Sequence, residues 1–599
     1  MALTVPMDDA SALTRLGMRD PLYGPRTLSV ERRADGAILL SNPRPYDDPF
    51  DTVMGPISHW AKADPERPWL AERVGDGWFI LSYGEGRERI RSLAGGLHAL
   101  GLSRAAPMLI LARNNIDHAM IAYAAMCRAI PVAAVSPQYG LKGADLSRLD
   151  HAVQVIRPSC VYAEDAALFA DGLSLPALAG LPVIVGANPR PGDILLADLA
   201  TSSPAPLIAR GHDPAKLLLT SGSTGKPKAV ICLHSGVASV AAQIGACFTD
   251  PEPPVVVNQA PWSHSLGANS ILQNVTHRGG TIYIDAGQPA PGRMGETVRN
   301  LKEIAPTYHN MVPAGWDLLA HELETDEALA RTFFSRVRLL QYGGAMLAQS
   351  TCDRIEAVAK RVCGETISFA SGYGSTETGP TCANVHWPNL TMGLLGLPIP
   401  GTVVKLAPNG DKLEFLVKGL QISPGYWNNP EATAGAFDEE GFYRTGDAAK
   451  LVDETDYYLG LAFDGRLSEN FKLTSGTFVD AGAVRIGAVS ALGGVISDAL
   501  VCGEGEASLG LLLFLNADVA RRHTNLRDVI AEGLLTYNKT ALGAGGKVAR
   551  ALVLDGAPDP ATGEITDKGY INQGLARGRR PDEIKRLFAA DPDNEVIIL

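Results

Sequence analysis

No run of apolar residues in this chain is long enough to cross a bilayer. The most apolar stretch, "AMIAYAAMCRAIPVAAV", is broken by Arg128 and Pro131, whereas a spanning helix needs about 20 predominantly apolar residues. The opening "MALTVPMDDASAL" sets no basic segment before an apolar core, so a secretory signal is not expected. Cysteine is sparse and scattered: the eight, at 127, 160, 232, 247, 352, 363, 382 and 502, form no C-x-x-C pair. That disfavours metal clusters and disulfide frameworks, and a reducing cytoplasm fits. Positive charge is in deficit, with 53 Lys and Arg against 65 Asp and Glu and a formal net charge of −12. Such a chain suits a nucleotide ligand better than a polynucleotide. No repeat of solenoid period and no long low-complexity segment stands out.

What is present is the length and composition of a soluble globular protein. With 599 residues, 46% of them hydrophobic and 20% charged, two or more cores are expected. "GWFILSYGE" reads as strand and turn, and "GRERIRSLAGGLHALGL" as an amphipathic helix ended by glycine. "APMLILARN", "IDHAMIAYAAMCRAI" and "PVAAVSP" then read as buried strand, helix and buried strand. That βαβ unit predicts a parallel sheet flanked by helices, and its rhythm recurs at "TIYIDAG", "PTYHNMVP" and "VRLLQYGGAML". From about residue 393, short strands separated by Pro and Gly turns predict a β-rich subdomain. The expected architecture is α/β: residues 1–464 form a large N-terminal domain with mostly parallel sheets and that subdomain. Residues 465–469 form a hinge, and residues 470–599 a small, mobile α+β C-terminal domain.

The segment "LLLTSGSTGKPKAV", residues 217–230, packs glycine, hydroxyl and lysine after an apolar strand, Lys216 to Thr220. Backbone amides and cations converging there suit an anion. It is not the P-loop of nucleoside triphosphatases, which needs Gly, four residues, then Gly-Lys-Ser/Thr. Thr220 stands where the first glycine should be, and Pro227 follows Lys226 and resists the helix such a loop must open. On the loop alone, a flexible surface linker remains the competing reading. "SGYGSTETGP", residues 371–380, offers Tyr373, Ser375, Thr376 and Glu377 together: a face to stack on, phosphate donors, and a hard oxygen for Mg²⁺. "GFYRTGDAAKL", residues 441–451, carries Asp447 on a tight turn, able to accept from two ribose hydroxyls or simply to cap its own backbone. "FDGRLSENFKLTSGTFV" and "TGEITDKGYINQ" complete the set, with "PWSHSLG", "YGGAML" and "GLQISPGYWNNPEAT" between them.

In this order the segments resemble the adenylate-forming superfamily of acyl-CoA synthetases, peptide-synthetase adenylation domains and luciferases, over nearly the whole chain. The N-terminal "YGPRTLSVERRADGAILLSNPRPYDD", "PWSHSLGAN", the "FDGRLSENFKLTSGTFV" hinge and "GEITDKGYINQ" look most like feruloyl-CoA synthetases. The resemblance implies an enzyme that joins an aromatic, hydroxycinnamic acid to coenzyme A through an acyl-adenylate, with ATP and Mg²⁺. It implies no nucleic-acid or membrane partner, and it leaves a homodimer open. By the same resemblance Thr220, Ser221, Gly222, Ser223, Thr224, Gly225, Lys226 and Lys228 would hold the β- and γ-phosphates. Gly344 and Ala345 would border the adenine and Tyr373 stack on it, with Gly374 and Ser375 beside the nucleotide. Thr376 would touch the α-phosphate, Glu377 bind Mg²⁺ with Thr220, and Asp447 and Arg466 hold the ribose. Trp262, His264, Tyr342 and Gly343 would meet the acid, with His264 as a gate between the acyl and thiol channels. Lys472, Ser475 and Gly476 would line the pantetheine tunnel after the small domain rotates about Glu469.

Two departures from the superfamily pattern stand out. Ser468-Glu469 replaces the usual Lys-Asp hinge, and Gly563 is followed by Glu564 rather than lysine. Lys568 therefore becomes the candidate for stabilising charge on the transferring phosphate. Its competing reading is a pair with Glu564 across a helical turn. The basic "LARGRRPDEIKR" reads as a solvated helix entry with Pro581 in its first turn, the alternative being contact with a CoA phosphate. Two rival functions stay open: loading of a carrier-protein pantetheine, and nucleotide binding without ligase turnover.

Overall fold

The computed structural model describes residues 9–102, 106–220, 227–290, 292–467, 471–475, 477–521, 523–541, 543, 545–556, 558, 564 and 571–599. The βαβ rhythm of the first half produces a mostly parallel seven-stranded sheet. Strand Met108–Leu111 pairs in parallel with Val132–Ala134 on one side and Cys160–Asp165 on the other. The helix between the first two, Ile116–Cys127, opens on Asn115, whose side chain accepts from the His118 amide. Every residue of that helix but Asp117 is buried, as befits one packed on all sides.

Strand Pro214–Thr220 joins this sheet beside Val132–Ala134, and its neighbour Lys228–Leu233 returns antiparallel with Thr220 opposite Lys228. The chain thus leaves residues 221–226 into a strand rather than a helix, which removes the P-loop alternative on structural grounds. Residues 221–226 themselves lie outside the described residues.

A larger sheet of eleven strands carries the other wall. Tyr308–Met311, Leu339–Tyr342 and Ser368–Tyr373 run parallel in register, so that Asn310, Gln341 and Ala370 lie side by side. The β-rich section expected from residue 393 is present and continues this same sheet through Leu394–Pro398, Leu461–Arg466, Tyr443–Leu451, Lys412–Lys418 and Val403–Asn409. The N-terminal strands Ser29–Arg32 and Ile38–Ser41 close its far edge against Val403–Asn409. Val404, Leu406, Phe415, Val417 and Leu461 form the apolar layer beneath.

From Phe471 on, the chain builds a further four-stranded sheet, ordered Ile496–Cys502, Leu509–Leu515, Val548–Val553, Ile597–Ile598, with apolar clusters of its own. Helix Ala481–Ala491, capped by Asp480, packs on it. At the junction Gly465 has φ +91°, and a Cβ there would come within 2.7 Å of an Asp480 carboxylate oxygen. Glycine is thus required by both backbone and space. The buried Lys412 ammonium meets the Asp464 carbonyl and, at 2.5 Å, the Asp480 carboxylate. One cation therefore ties the larger sheet to the first helix after the junction. Replacing it with Lys412→Met leaves the part-buried Asp480 carboxylate without that cation, while Asp464 keeps Lys450 at 3.7 Å, and losing a charged hydrogen-bond partner of this kind costs about 1–3 kcal/mol. A denaturant titration is expected to show a loss of about that size, with faster proteolytic cleavage at residues 465–480.

Candidate active site

The C-terminal ends of Tyr308–Met311, Leu339–Tyr342 and Ser368–Tyr373 open into one cleft of about 2620 Å³, where the loops that follow parallel strands have to leave the sheet. Among the predicted residues, Thr220, Lys228, Trp262, His264, Tyr342, Gly343, Gly344, Ala345, Tyr373, Gly374, Ser375, Thr376, Glu377, Asp447 and Arg466 all line it. Lys472 and Ser475 are exposed and are not among its lining. The predicted residues Ser221, Gly222, Ser223, Thr224, Gly225, Lys226, Glu469, Gly476 and Lys568 lie outside the described residues. On either side of Lys568, Pro558 and Ile571 do line the cleft.

Among the described residues, two hydroxyls of the lining stand buried without a partner, Thr220 Oγ1 and Ser375 Oγ. A buried hydroxyl left unpaired is unfavourable by about 1–3 kcal/mol, so both await an acceptor. Thr376 Oγ1 donates to Ser265 Oγ at 3.2 Å, linking the "GSTET" turn to the "PWSHS" segment. Tyr426 Oη donates to Glu377 Oε1 at 3.1 Å, and the Lys228 ammonium sits 5.0 Å over the Tyr426 ring. Burial, reinforced by the Glu377 carboxylate, pushes the Tyr426 phenol well above its usual value. It therefore remains a donor to Glu377.

Asp447 is not on a tight turn: it lies within strand Tyr443–Leu451, at a register shift between Asp447 and Ala449, directly opposite Arg466. Its carboxylate accepts from Tyr373 Oη at 2.7 Å and pairs with Arg466 Nε at 3.3 Å. Tyr373 packs edge-on against Phe415, ring centroids 4.8 Å apart. The aromatic face, the carboxylate and the guanidinium are thus one connected unit. Gly344, with φ +86°, lets the strand Leu339–Tyr342 turn away beside it.

On the opposite wall the Trp262 amide donates to Asn114 Oδ1 at 2.9 Å, and its indole meets the buried His118 edge-on. His264 is half-buried, its amide donating to the Pro261 carbonyl at 3.1 Å. Residues Leu266–Gln273 form a π-helical segment, a geometry that leaves carbonyls off the usual ladder and recurs at functional sites. At Gly267 a Cβ would lie 2.3 Å from the Pro261 carbonyl, so only glycine fits. The irregular segment is held from behind by Lys216, whose ammonium donates to the Ala268 carbonyl and to Asn269 Oδ1, both at 2.9 Å. Sequence reasoning missed Lys216 because a lysine inside "AKLLLT" carries no motif. It also missed the role of Tyr426, although it lies within the quoted "GYWNNPEAT".

The Glu564 carboxylate, 2% exposed, pairs with Arg580 at 2.8 Å and Arg579 at 3.6 Å. This places Glu564 in the packing of the last sheet and its helices rather than at the phosphate. Among the described residues no group of three His, Cys, Asp or Glu could hold a metal ion. Glu377 and Thr220 do fit a magnesium ion bound chiefly through phosphate oxygens, since such an ion takes only one or two protein oxygens.

A family model described as AMP-binding enzyme matches residues 57–427. Carboxylic acid reductase of Mycobacterium tuberculosis is 27% identical over 417 residues, covering 64% of this chain but only 33% of that reductase. Feruloyl-CoA synthase of an Amycolatopsis species is 25% identical over 401 residues, 65% of this chain and 74% of that protein. Among solved structures, the adenylation domain of a carboxylate reductase from Mycobacterium chelonae superposes with a TM-score of 0.73 at 20% identity, covering 91% of this chain and 92% of that one.

Burial lowers the Lys216 ammonium to about 8, against an ordinary value near 10.4 in an unfolded chain. Between about pH 8 and 10 the unfolded chain holds a proton that the folded chain has released, so stability rises with pH across that window. Denaturation of the native protein and Lys216→Met at pH 8, 9 and 10 is expected to show the difference moving in favour of the native protein as pH rises. A gap that stays constant would contradict the buried, shifted lysine.

Proposed function

The chain belongs to the AMP-binding enzyme family, and from that premise we propose that it is an ATP-dependent acyl-CoA ligase for an aromatic, hydroxycinnamic acid such as ferulic acid. The observation that carries this reading is the convergence, in one cleft, of two unpartnered buried hydroxyls, the Glu377–Tyr426 pair and the Tyr373–Asp447–Arg466 unit. Hydroxyls without acceptors suit phosphate oxygens, and an aromatic face joined to a carboxylate and a guanidinium suits a nucleoside.

A carboxylate is inert toward a thiol because oxide would have to leave. Its oxygen attacks the α-phosphorus of ATP, the bond from that phosphorus to the bridging oxygen breaks, and pyrophosphate departs with the electron pair. The CoA sulfur then attacks the acyl carbon, AMP leaves with the C–O electrons, and the thiol proton passes to solvent. In this chain Thr220 and Ser375 donate to the phosphates, Thr376 steadies the α-phosphate, and Asp447 with Arg466 orients the ribose. A magnesium ion held by Glu377 and Thr220 would draw charge from the departing phosphates. Trp262 and His264 border the acid, and Lys568 supplies the cation beside the transferring phosphate.

We assign residues 1–464 to the larger body, 465–469 to the hinge and 470–599 to the smaller one. Pro558 and Ile571 at the cleft support an arrangement for the first half-reaction, with Lys472, Ser475 and Gly476 turned in for the second.

The reading is tested by pyrophosphate release from Mg-ATP with ferulate, 4-coumarate, benzoate and a medium-chain fatty acid, each with and without CoA. Ferulate or 4-coumarate is expected to drive release that CoA accelerates, and Lys568→Ala to slow the adenylation step about 100-fold or more, the scale of removing one transition-state donor. Release driven best by the fatty acid would overturn the aromatic assignment. An unchanged Lys568→Ala rate would move the catalytic cation to another residue.

A further inference from the structure

The half-buried Glu377 carboxylate is held by a series of groups that reaches across to another strand of the cleft. Tyr426 Oη donates to Glu377 Oε1 at 3.1 Å, and Tyr443 Oη lies 3.3 Å from Tyr426 Oη. A phenol has one hydrogen to give. Tyr426 commits its own to the carboxylate, so between the two phenols Tyr443 is the donor and Tyr426 the acceptor. Tyr443, Tyr426 and Glu377 thus stand in series, and all three line the cleft. Among the described residues no other hydrogen bond reaches the Glu377 side chain, which leaves Oε2 for a ligand.

Each member of the series is anchored in the fold. Residues 425–427 run antiparallel beside strand Lys228–Leu233: the Ile231 amide donates to the Gly425 carbonyl at 3.1 Å, and the Trp427 amide to the Ala229 carbonyl at 2.8 Å. The Tyr426 amide donates to Thr433 Oγ1 at 3.0 Å. The Ser423 amide donates to the Glu377 carbonyl at 2.8 Å, so the loop bearing the carboxylate is joined to the segment bearing the phenol. Tyr443, 8% exposed, opens strand Tyr443–Leu451, which also carries Asp447.

A magnesium ion demands near-octahedral geometry at about 2.0–2.1 Å and takes only one or two protein oxygens, so the direction of a single carboxylate oxygen matters. A free glutamate side chain samples many rotamers, and fixing it costs entropy. Resting on the reading of Glu377 as the magnesium ligand, we propose that Tyr426 and Tyr443 are positioning residues that hold Glu377 Oε1 and so present Oε2 to the ion as a single-oxygen ligand. The same series links that carboxylate to the strand of Asp447, so the metal and ribose ends of the nucleotide site share one framework.

The experiment measures ATP binding to the full-length protein by isothermal titration calorimetry, without acid or CoA, once in excess EDTA and once in excess Mg²⁺. The ratio of the two dissociation constants isolates what the ion adds and needs no turnover. Tyr426→Phe keeps the ring beneath the Lys228 ammonium and removes only the hydroxyl. It is expected to lower the ratio about 10-fold, the low end of what losing a partner that orients a metal ligand costs, with the affinity in EDTA unchanged. Tyr443→Phe is expected to lower the ratio by less, and to add nothing in the double variant, because its effect passes through the Tyr426 oxygen. Glu377→Gln, which alters the ligand itself, is expected to lower it at least as far as Tyr426→Phe. A ratio lost in Glu377→Gln but intact in Tyr426→Phe would remove the positioning role and leave the metal reading standing. An equal loss of affinity with and without Mg²⁺ would reduce Tyr426 to a packing residue. Additive losses in the double variant would break the series, and a ratio that Glu377→Gln does not move would sink the metal reading and the tyrosine assignment together. Should thermal unfolding show Tyr426→Phe to be unfolded at the assay temperature, Tyr443→Phe decides by the same ratio.

Discussion

Three parallel strands that stop at a common edge set the terms for everything else in the cleft. Where Tyr308–Met311, Leu339–Tyr342 and Ser368–Tyr373 end, parallel geometry offers no tight hairpin, so each chain must leave the sheet by its own loop. Those loops are where the chemistry-bearing residues sit: Gly343 to Ala345 after the second strand, and Gly374 to Glu377 after the third. Rows across the sheet are equally determined, because in-register pairing puts Asn310 beside Gln341 and Met311 beside Tyr342 and Ser371. A one-residue slip would carry every one of these side chains to the other face. The polar amides reach the cleft only because the apolar cluster of Trp316, Phe333, Phe334 and Phe369 anchors the helix side of the sheet.

The second wall depends on an unusual burial. A lysine without a carboxylate partner is expensive to bury, and Lys216 is almost fully buried, bonding a backbone carbonyl and an amide oxygen. What the lysine supplies is reach: its strand ends four residues later at Thr220, and its ammonium grips the π-helical segment that follows His264. The Thr220 end and the Trp262–His264 end of the cleft are thereby built on one connection. Stability is given up for geometry here, and a cleft of this kind is where local rules of sequence are expected to be broken.

Legibility in the sequence followed the range of the interactions. The strands and helices between residues 77 and 134 show periodicity over a few turns, and the structure has them with capped ends where polar residues stand. Motif residues were readable too, because a glycine at positive φ or a carboxylate beside a tyrosine leaves a local trace. Asp447 shows the limit. Gly446 suggested a turn, yet Asp447 belongs to a long strand whose irregularity is set by pairing with Arg466, nineteen positions away. The closing of the eleven-stranded sheet by Ile38–Ser41 against Val403–Asn409 had no trace at all, since neither segment carries information about the other. Nor did the π-helical segment, whose sequence "LGANSILQ" is compatible with an ordinary helix.

Glu564 shows how a departure from a motif can be absorbed by packing. A carboxylate at that position is 2% exposed and is costly to bury without a partner. Arg580, on the entry to helix Pro581–Leu587, meets it at 2.8 Å, and Arg579 stands at 3.6 Å. The basic run "RGRR" is therefore no solvated ornament, since part of it is spent neutralising this buried acid. The carboxylate is held between two guanidinium groups, and the Glu564 backbone carbonyl accepts the Asn572 amide at 2.8 Å. A lysine at position 564 would face the same two arginines and be repelled. The charge arrangement around Glu564 thus excludes the usual placement of the cation in this chain, and if a lysine of this segment serves the transferring phosphate, it has to come from elsewhere in the segment.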